Sequence, residues 1–245
     1  MYAHAQNTGQ FVSGIDSESL VEQSLSQDPI QRYYAAKSMQ ECGPIDSAFI
    51  PALNNLLQDQ EFNVRIAACN ALTMMGKQAV VTATALCQLL KDKTIGVRES
   101  AARALHSLAP LPKHCQRPLA LALTDFNPKV REHAAAALAT SKPQGIGVAI
   151  ALRDALFDQV EGVRWYAAAA LSEMGRDAKI AVPALVTIYF EDVDVVRAVA
   201  MDALERIVPD LDLLPIEKIY SNRNKSSDER NTESNPNYGN WHNAY

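Results

Sequence analysis

Apolar residues recur along this chain with two superposed periods. Between Val64 and Met75, the positions Val64, Ala68, Ala71, Leu72 and Met75 fall at i, i+4, i+7, i+8 and i+11, the mark of one apolar helix face. That pattern then returns every 33 residues. Arg32, Arg65, Arg98, Arg131, Arg164 and Arg197 form one column, and an Ala lies three residues after each: Ala35, Ala68, Ala101, Ala134, Ala167 and Ala200. Leu20, Leu53, Leu86, Leu119, Leu152 and Leu185 form a third column, and Met39, Leu72, Leu105, Leu138, Leu171 and Leu204 a fourth. Val precedes every arginine except Arg32, which follows Gln31. Each unit therefore reads as two helices. The first is carried by Leu53, Leu56 and Leu57, then by Leu86, Leu89 and Leu90. Punctuation falls in register: Pro51 and Pro183 near the start of the first helix, Pro29 and Pro128 at the start of the second. Asp28, Thr94 and Asn127 stand at N-cap positions, and Gly43, Gly76 and Gly175 where the second helix should end.

One such helix pair cannot bury its own apolar face, whereas stacked pairs can. The expected architecture is all-α, a right-handed α-solenoid of six helix pairs, roughly 50–60 Å long at 8–10 Å per stacked helix. The repeats should span 15–209, after a loose polar segment over 1–14. Residues 210–220 are amphipathic and should cap the last repeat, and 221–245 read as a disordered polar tail. Three aromatics near its end, Tyr238, Trp241 and Tyr245, make a candidate docking motif. Ankyrin also has a 33-residue period, but its T-P-L-H signature is absent, as is the tetratricopeptide pattern.

The unit D-x-x-x-x-V-R-x-x-A-A-x-A-L, followed by Asp59–Leu72, Asp92–Leu105, Asp125–Leu138 and Asp158–Leu171, resembles the HEAT repeat in its short, phycobilisome-lyase-like form. The resemblance covers about residues 16–209. It implies a curved helical scaffold, a fold that serves many unrelated functions. A local resemblance is narrower. Asp28-Pro29-Ile30-Gln31-Arg32-Tyr33-Tyr34-Ala35-Ala36 is similar to the D-P-x-x-R-Y-Y-A-A opening of bilin lyase subunits, and Val163-Arg164-Trp165-Tyr166-Ala167-Ala168 echoes it. Lys37-Ser38-Met39 departs from the aromatic continuation of that opening. This resemblance implies a transiently bound bilin, stacked on Tyr33, Tyr34, Trp165 and Tyr166 with Arg103 or Lys37 on its propionates, and a phycobiliprotein as partner.

Composition narrows the function class. The chain has 245 residues, 48% of them hydrophobic but only 7% aromatic, and a net charge of −5. A core of that size argues against a disordered chain, and the acidic balance against nucleic-acid binding. No stretch approaches the ~20 apolar residues of a membrane span. Met1–Ser13 lacks an apolar signal core, so the expected compartment is the cytoplasm. Cys42, Cys69, Cys87 and Cys115 form no C-x-x-C and read as buried free thiols. His4, His106, His114, His133 and His242 show no metal-ligand spacing, and no His-Glu pair, P-loop or G-x-S-x-G occurs. The chain offers no catalytic constellation and no metal site.

Two sets of residues remain. The arginine column faces an acidic column six residues earlier: Asp59, Asp92, Asp125, Asp158 and Glu191, with Ser26 in the first unit. Alternating Asp and Arg read as a structural ladder of charge-assisted hydrogen bonds between turns. The residue after each arginine points away from the core at 100° per residue. That column, Tyr33, Ile66, Glu99, Glu132, Trp165 and Ala198, should lie exposed on the concave face, with Lys37, Asn70, Arg103 and His106 beside it; Ala135, Ala136, Ala137 and Ala139 read equally as the floor of a groove or as close helix packing. Large apolar groups rimmed by polar ones mark a protein-binding surface. The reading is a non-enzymatic adaptor holding a protein partner, with a bilin lyase-like protein as the alternative.

Overall fold

The computed structural model describes residues 17–42 and 47–211. Gly43, the N-terminal segment 1–14, almost all of the 210–220 segment, and the tail with Tyr238, Trp241 and Tyr245 lie outside the described residues. The described residues form twelve α-helices in pairs: α1 (Ser17–Gln23) with α2 (Pro29–Glu41), α3 (Phe49–Leu56) with α4 (Phe62–Met75), α5 (Ala83–Leu89) with α6 (Ile95–Leu108), α7 (Gln116–Ala122) with α8 (Pro128–Ala139), α9 (Ile146–Ala155) with α10 (Glu161–Met174), and α11 (Val182–Glu191) with α12 (Asp194–Ile207). The all-α solenoid expected from the period is what the chain adopts.

The columns explain the packing. Val64, Ala68, Ala71, Leu72 and Met75 of α4 are all buried, and so are their equivalents in the later second helices; in α2 only Ala35 and Met39 of this set are buried. Together with Leu53, Leu86, Leu119, Leu152 and Leu185 of the first helices they build one continuous core between two helix layers. The second helices α2, α4, α6, α8, α10 and α12 pack directly on one another in unbroken succession. Their Ala columns let the backbones approach closely. The first helices meet one another more sparingly. Short 3-10 turns (Gly76–Thr82, Lys113–Cys115, Gly175–Ala181) lead into α5, α7 and α11 and widen that layer. The second helices thus form the more closely packed of the two layers.

Local chemistry sets the boundaries. Asp28 and Asn127 cap α2 and α8 by accepting hydrogen bonds from Ile30 N and Lys129 N, each with Pro at the first helical position. Thr94 occupies the N-cap of α6 but makes no side-chain cap bond. Gly76 and Gly175 end α4 and α10 with φ of 56° and 54°, a region that L-residues avoid. Among the thiols, Cys69, Cys87 and Cys115 are buried, but Cys42, just past the end of α2, is exposed, contrary to the expectation for all four. Among the described residues no helix is long and apolar enough to cross a membrane.

Candidate protein-binding face

The ladder fixes how successive units sit on one another. Arg131 Nε and Nη2 bind Asp158 Oδ2 and Oδ1 of the next unit at 2.6 and 2.9 Å, while Nη1 binds the Asp125 carbonyl of its own turn at 2.9 Å. Asp158 Oδ1 also accepts the Val160 backbone N–H at 2.8 Å. Each arginine thus closes its own turn and clasps the next, and each aspartate also caps its own turn. The same pairing joins Arg32 to Asp59 and Arg98 to Asp125, whereas Arg65 reaches Asp92 through Nη2 alone and its buried Nε has no partner. In the first unit Ser26 substitutes for the aspartate: its Oγ accepts from Asp28 N and its carbonyl from Arg32. One assignment changes. Arg164 binds Asp192, not Glu191. Helix α11 runs through Glu191, and the extended backbone at Asp192 presents that carboxylate to the turn. Arg197 ends the ladder among the described residues, 44% exposed and paired with Asp194 on its own helix.

The partnership shifts the acids. Burial opposes the charged forms of Asp59, Asp125 and Asp158. The arginine hydrogen bonds, the backbone N–H groups and the nearby guanidiniums outweigh it and hold these carboxyls below their usual range. Asp192 moves the same way, with the Arg164 hydrogen bond the largest cause.

Of the residues after each arginine, Ala198 is exposed as expected, but the other five are half-buried. Tyr33 and Trp165 are half-buried against the core. Ile66 is half-buried too, its Cδ1 3.1 Å from where a Cβ on Gly96 would stand. Glu99 accepts from Asn127 Nδ2 at 3.1 Å, and Glu132 binds Lys129 at 2.8 Å with its carboxylate over Gly162. A Cβ on Gly162 would lie 2.7 Å from Glu132 Oε1, so the glycine makes room for it. This column leans onto the next unit's second helix because successive second helices stack closely. Of the flanking residues, Arg103 Nη2 donates to Asn70 Oδ1 at 2.6 Å, linking α6 to α4. Lys37 is exposed on α2.

The layer of second helices carries a cluster of rings that crosses three units. His106 of α6 lies beside His133 of α8, ring centroids 6.1 Å apart, and meets Tyr166 of α10 edge-on at 6.2 Å. Tyr166 in turn stands perpendicular to Trp165 at 4.8 Å. Four rings on three successive helices thus form one patch. Ala135, Ala136 and Ala137 of α8 are buried, and Ala139 is half-buried. Burial lowers the pKa of His106. Burial also lowers that of His133, followed by His106 beside it, with Arg103 acting the same way and Glu132 and Glu99 opposing. His133 and Tyr166 belong to the column one residue beyond Trp165, whose other members are Tyr34, Ala67, Ser100 and Val199. Reading that second column would have found the patch.

The four aromatics of the local lyase-like motifs do not share a groove. Tyr33 and Tyr34 form an edge-to-face pair on α2, 5.4 Å between centroids, and Trp165 and Tyr166 pair on α10. The helices α4, α6 and α8 stand between them. At 8–10 Å per stacked helix, that is roughly 32–40 Å, too far for one tetrapyrrole to touch both.

Stacked helix pairs around a continuous core, tied turn to turn, define an α-solenoid repeat protein. The family model for HEAT repeats matches residues 17–108 and 117–205, and the chain belongs to that family. Similar solved structures include a computationally designed armadillo repeat protein for modular peptide recognition, 21% identical with TM-score 0.65, covering 78% of this chain and 99% of that one. A designed armadillo repeat protein in complex with the peptide (KR)4 is 19% identical with TM-score 0.66, covering 79% and 100%. The CpcE–CpcF complex of phycocyanin lyase from Nostoc sp. is 21% identical with TM-score 0.54, covering 84% and 82%. These likenesses are of fold. The comparison with curated protein sequences finds no match.

Proposed function

We propose that this HEAT-repeat protein is a non-enzymatic adaptor that holds one protein partner on its concave face, centred on α6, α8 and α10. The observation that carries the reading is the His106–His133–Tyr166–Trp165 patch, four rings across three helices, with charged groups of both signs around it. Aromatic side chains with a polar edge supply contact area at low conformational cost and dominate binding energetics at interfaces. Glu99, Glu132 and Arg103 border the patch but already hold intramolecular partners, so they shape the rim and set orientation. Designed solenoids of similar fold take peptides, one of them (KR)4. The test is Trp165→Ala and Tyr166→Ala in a pull-down of the partner that the wild type captures. Loss of capture with an unchanged circular dichroism spectrum is expected. Full capture by both variants would overturn the assignment of the face.

A second reading keeps one specific observation. The lyase-like opening of α2 walls a cleft of about 480 Å³ lined by Pro29, Ile30, Tyr33, Tyr34, Glu61 and Asn63. Two tyrosines suit a flat π-system, but the charged group in the lining is a carboxylate, which repels a propionate. Under this reading, micromolar protein mixed with phycocyanobilin shifts the pigment's absorption band, and Tyr34→Ala removes the shift. An unshifted band removes the reading.

A further inference from the structure

Each first helix packs against the entry to the next unit's first helix, and the repeat sets one column against another there. Among the described residues the successive pairs read Val21 with Phe49, Asn54 with Thr82, Cys87 with Cys115, Ala120 with Val148 and Arg153 with Ala181. Only the junction of units three and four places a thiol in both columns. There α5 meets the short turn Lys113–Cys115 that leads into α7. Thr84 Oγ1 and His114 Nε2 lie 2.9 Å apart across the same contact. Thr84 stands three residues before Cys87 on one face of α5, and His114 adjoins Cys115. The two sulfurs meet beside that bond, where the Cys87 thiol donates a hydrogen bond to Cys115. Both are buried, Cys115 completely and Cys87 to 5% exposure.

Packing alone does not call for two thiols here. The junctions on either side fill the same columns with Asn54 and Thr82, and with Ala120 and Val148. The second member is buried in each case, as Cys115 is. Adjacent thiols have a chemistry that these residues lack, since they can be oxidised to one disulfide. The proton is also shared unequally within the pair. The hydrogen bond from Cys87 favours the Cys115 thiolate and holds that thiol below its usual range against the opposing effect of burial. The same bond, with burial, pushes Cys87 up. Cys115 is therefore the nucleophile of the pair, because the thiolate is the reactive form.

We infer that Cys87 and Cys115 form a redox modification site, which a hydroperoxide converts into a reversible disulfide bracing the junction of units three and four. The Cys115 sulfur attacks one oxygen of hydrogen peroxide, the O–O bond breaks, and the other oxygen leaves as water with the thiol proton. The Cys87 sulfur then attacks the Cys115 sulfenic acid. An S–S bond forms, the S–O bond breaks, and the hydroxyl leaves as water with the Cys87 proton. Two thiols lose two electrons, and one hydrogen peroxide becomes two waters. The oxidant is little larger than water, so it enters through brief local openings of the seven-residue helix α5 that are too narrow for a bulky thiol reagent. The bond joins positions 87 and 115 and so restricts the unfolded chain.

The experiment uses the full chain carrying Cys42→Ser, which removes the exposed thiol. The protein is reduced, treated with millimolar hydrogen peroxide, quenched and alkylated in urea. Mass spectrometry of a tryptic digest should find the Cys87 and Cys115 peptides joined, and dithiothreitol should part them. Cys42→Ser/Cys87→Ser should instead hold a sulfenic acid at Cys115 that dimedone traps. The crosslinked chain should melt about 5 °C or more above the reduced one by circular dichroism. The double variant given the same peroxide should show no such rise, which controls for oxidation elsewhere. Both thiols remaining open to alkylation, a bond that forms only when peroxide is added in urea, or a crosslinked chain that melts no higher than the reduced one would each overturn the inference.

Discussion

Replacing Asp158 by alanine removes three hydrogen bonds at once: two from Arg131, at 2.6 and 2.9 Å, and the cap on Val160 N at 2.8 Å. It leaves Arg131 held only by the carbonyls of its own turn. The pair is neither buried nor open, with side-chain exposures of 15% and 11%. Breaking a fully buried pair costs about 3–5 kcal/mol, and an exposed one is worth about 0–1 kcal/mol. At this exposure a loss of about 2–3 kcal/mol is expected. Asp158→Asn keeps Oδ1, which serves both Val160 N and Arg131 Nη2, so about half that loss should remain. Arg197→Ala is the internal control. The same column, 44% exposed at the end of the ladder, should cost under about 0.5 kcal/mol. Urea titrations followed by circular dichroism at 222 nm read all three. The sign with pH follows from the acid's shift. Asp158 titrates below its unfolded value of 3.8, so its contribution is complete above that pH and fades as pH falls through the lower folded value. The gap between wild type and Asp158→Ala should therefore narrow in strong acid. An Asp158→Ala loss no larger than that of Arg197→Ala would refute the ladder as the element that couples repeats.

Three further expectations rest on other elements. Asn127→Ala should cost about 1 kcal/mol through loss of the α8 cap, whereas Thr94→Ala, which removes no cap bond, should be close to neutral in the same titration. His106 and His133 have folded pKa values below the ordinary 6.5, so the unfolded chain takes up protons first. Stability should then be complete above pH 6.5 and fall between 6.5 and the lower folded values, and the His106→Gln/His133→Gln double variant should lose that slope. Cys42 should react with a thiol reagent in the native protein while Cys69, Cys87 and Cys115 react only on unfolding, because burial excludes the reagent and pushes the Cys69 thiol up to about 12.

Most of the architecture was legible because a repeat writes each physical requirement six times. A single Arg-to-Asp spacing proves nothing, but the same spacing in successive units requires a periodic contact. What a column cannot encode is where it breaks or how its helix is rotated. The ladder acid moves from the Glu191 position to Asp192 because α11 and its turn differ by one residue in length. The geometry of a single helix puts the column after each arginine in open solvent. Its members instead lean on the next unit, as Ile66 does on Gly96 and Glu132 on Gly162. The rotation of one helix against its neighbour decides this, and no one unit contains it. The ring patch assembles His106, His133 and Tyr166 from three units and two columns.

The concave face is the central claim, and site-specific photo-crosslinking in cells tests it most directly. A benzophenone side chain at Ala139 stands at the end of α8, at the position that His106 holds on α6, and one at Arg117 stands exposed on α7. The adaptor reading expects one discrete crosslinked protein from position 139, lost when Trp165→Ala and Tyr166→Ala are added, and none of that species from position 117. No discrete product from 139, or the same product from both positions, would contradict it.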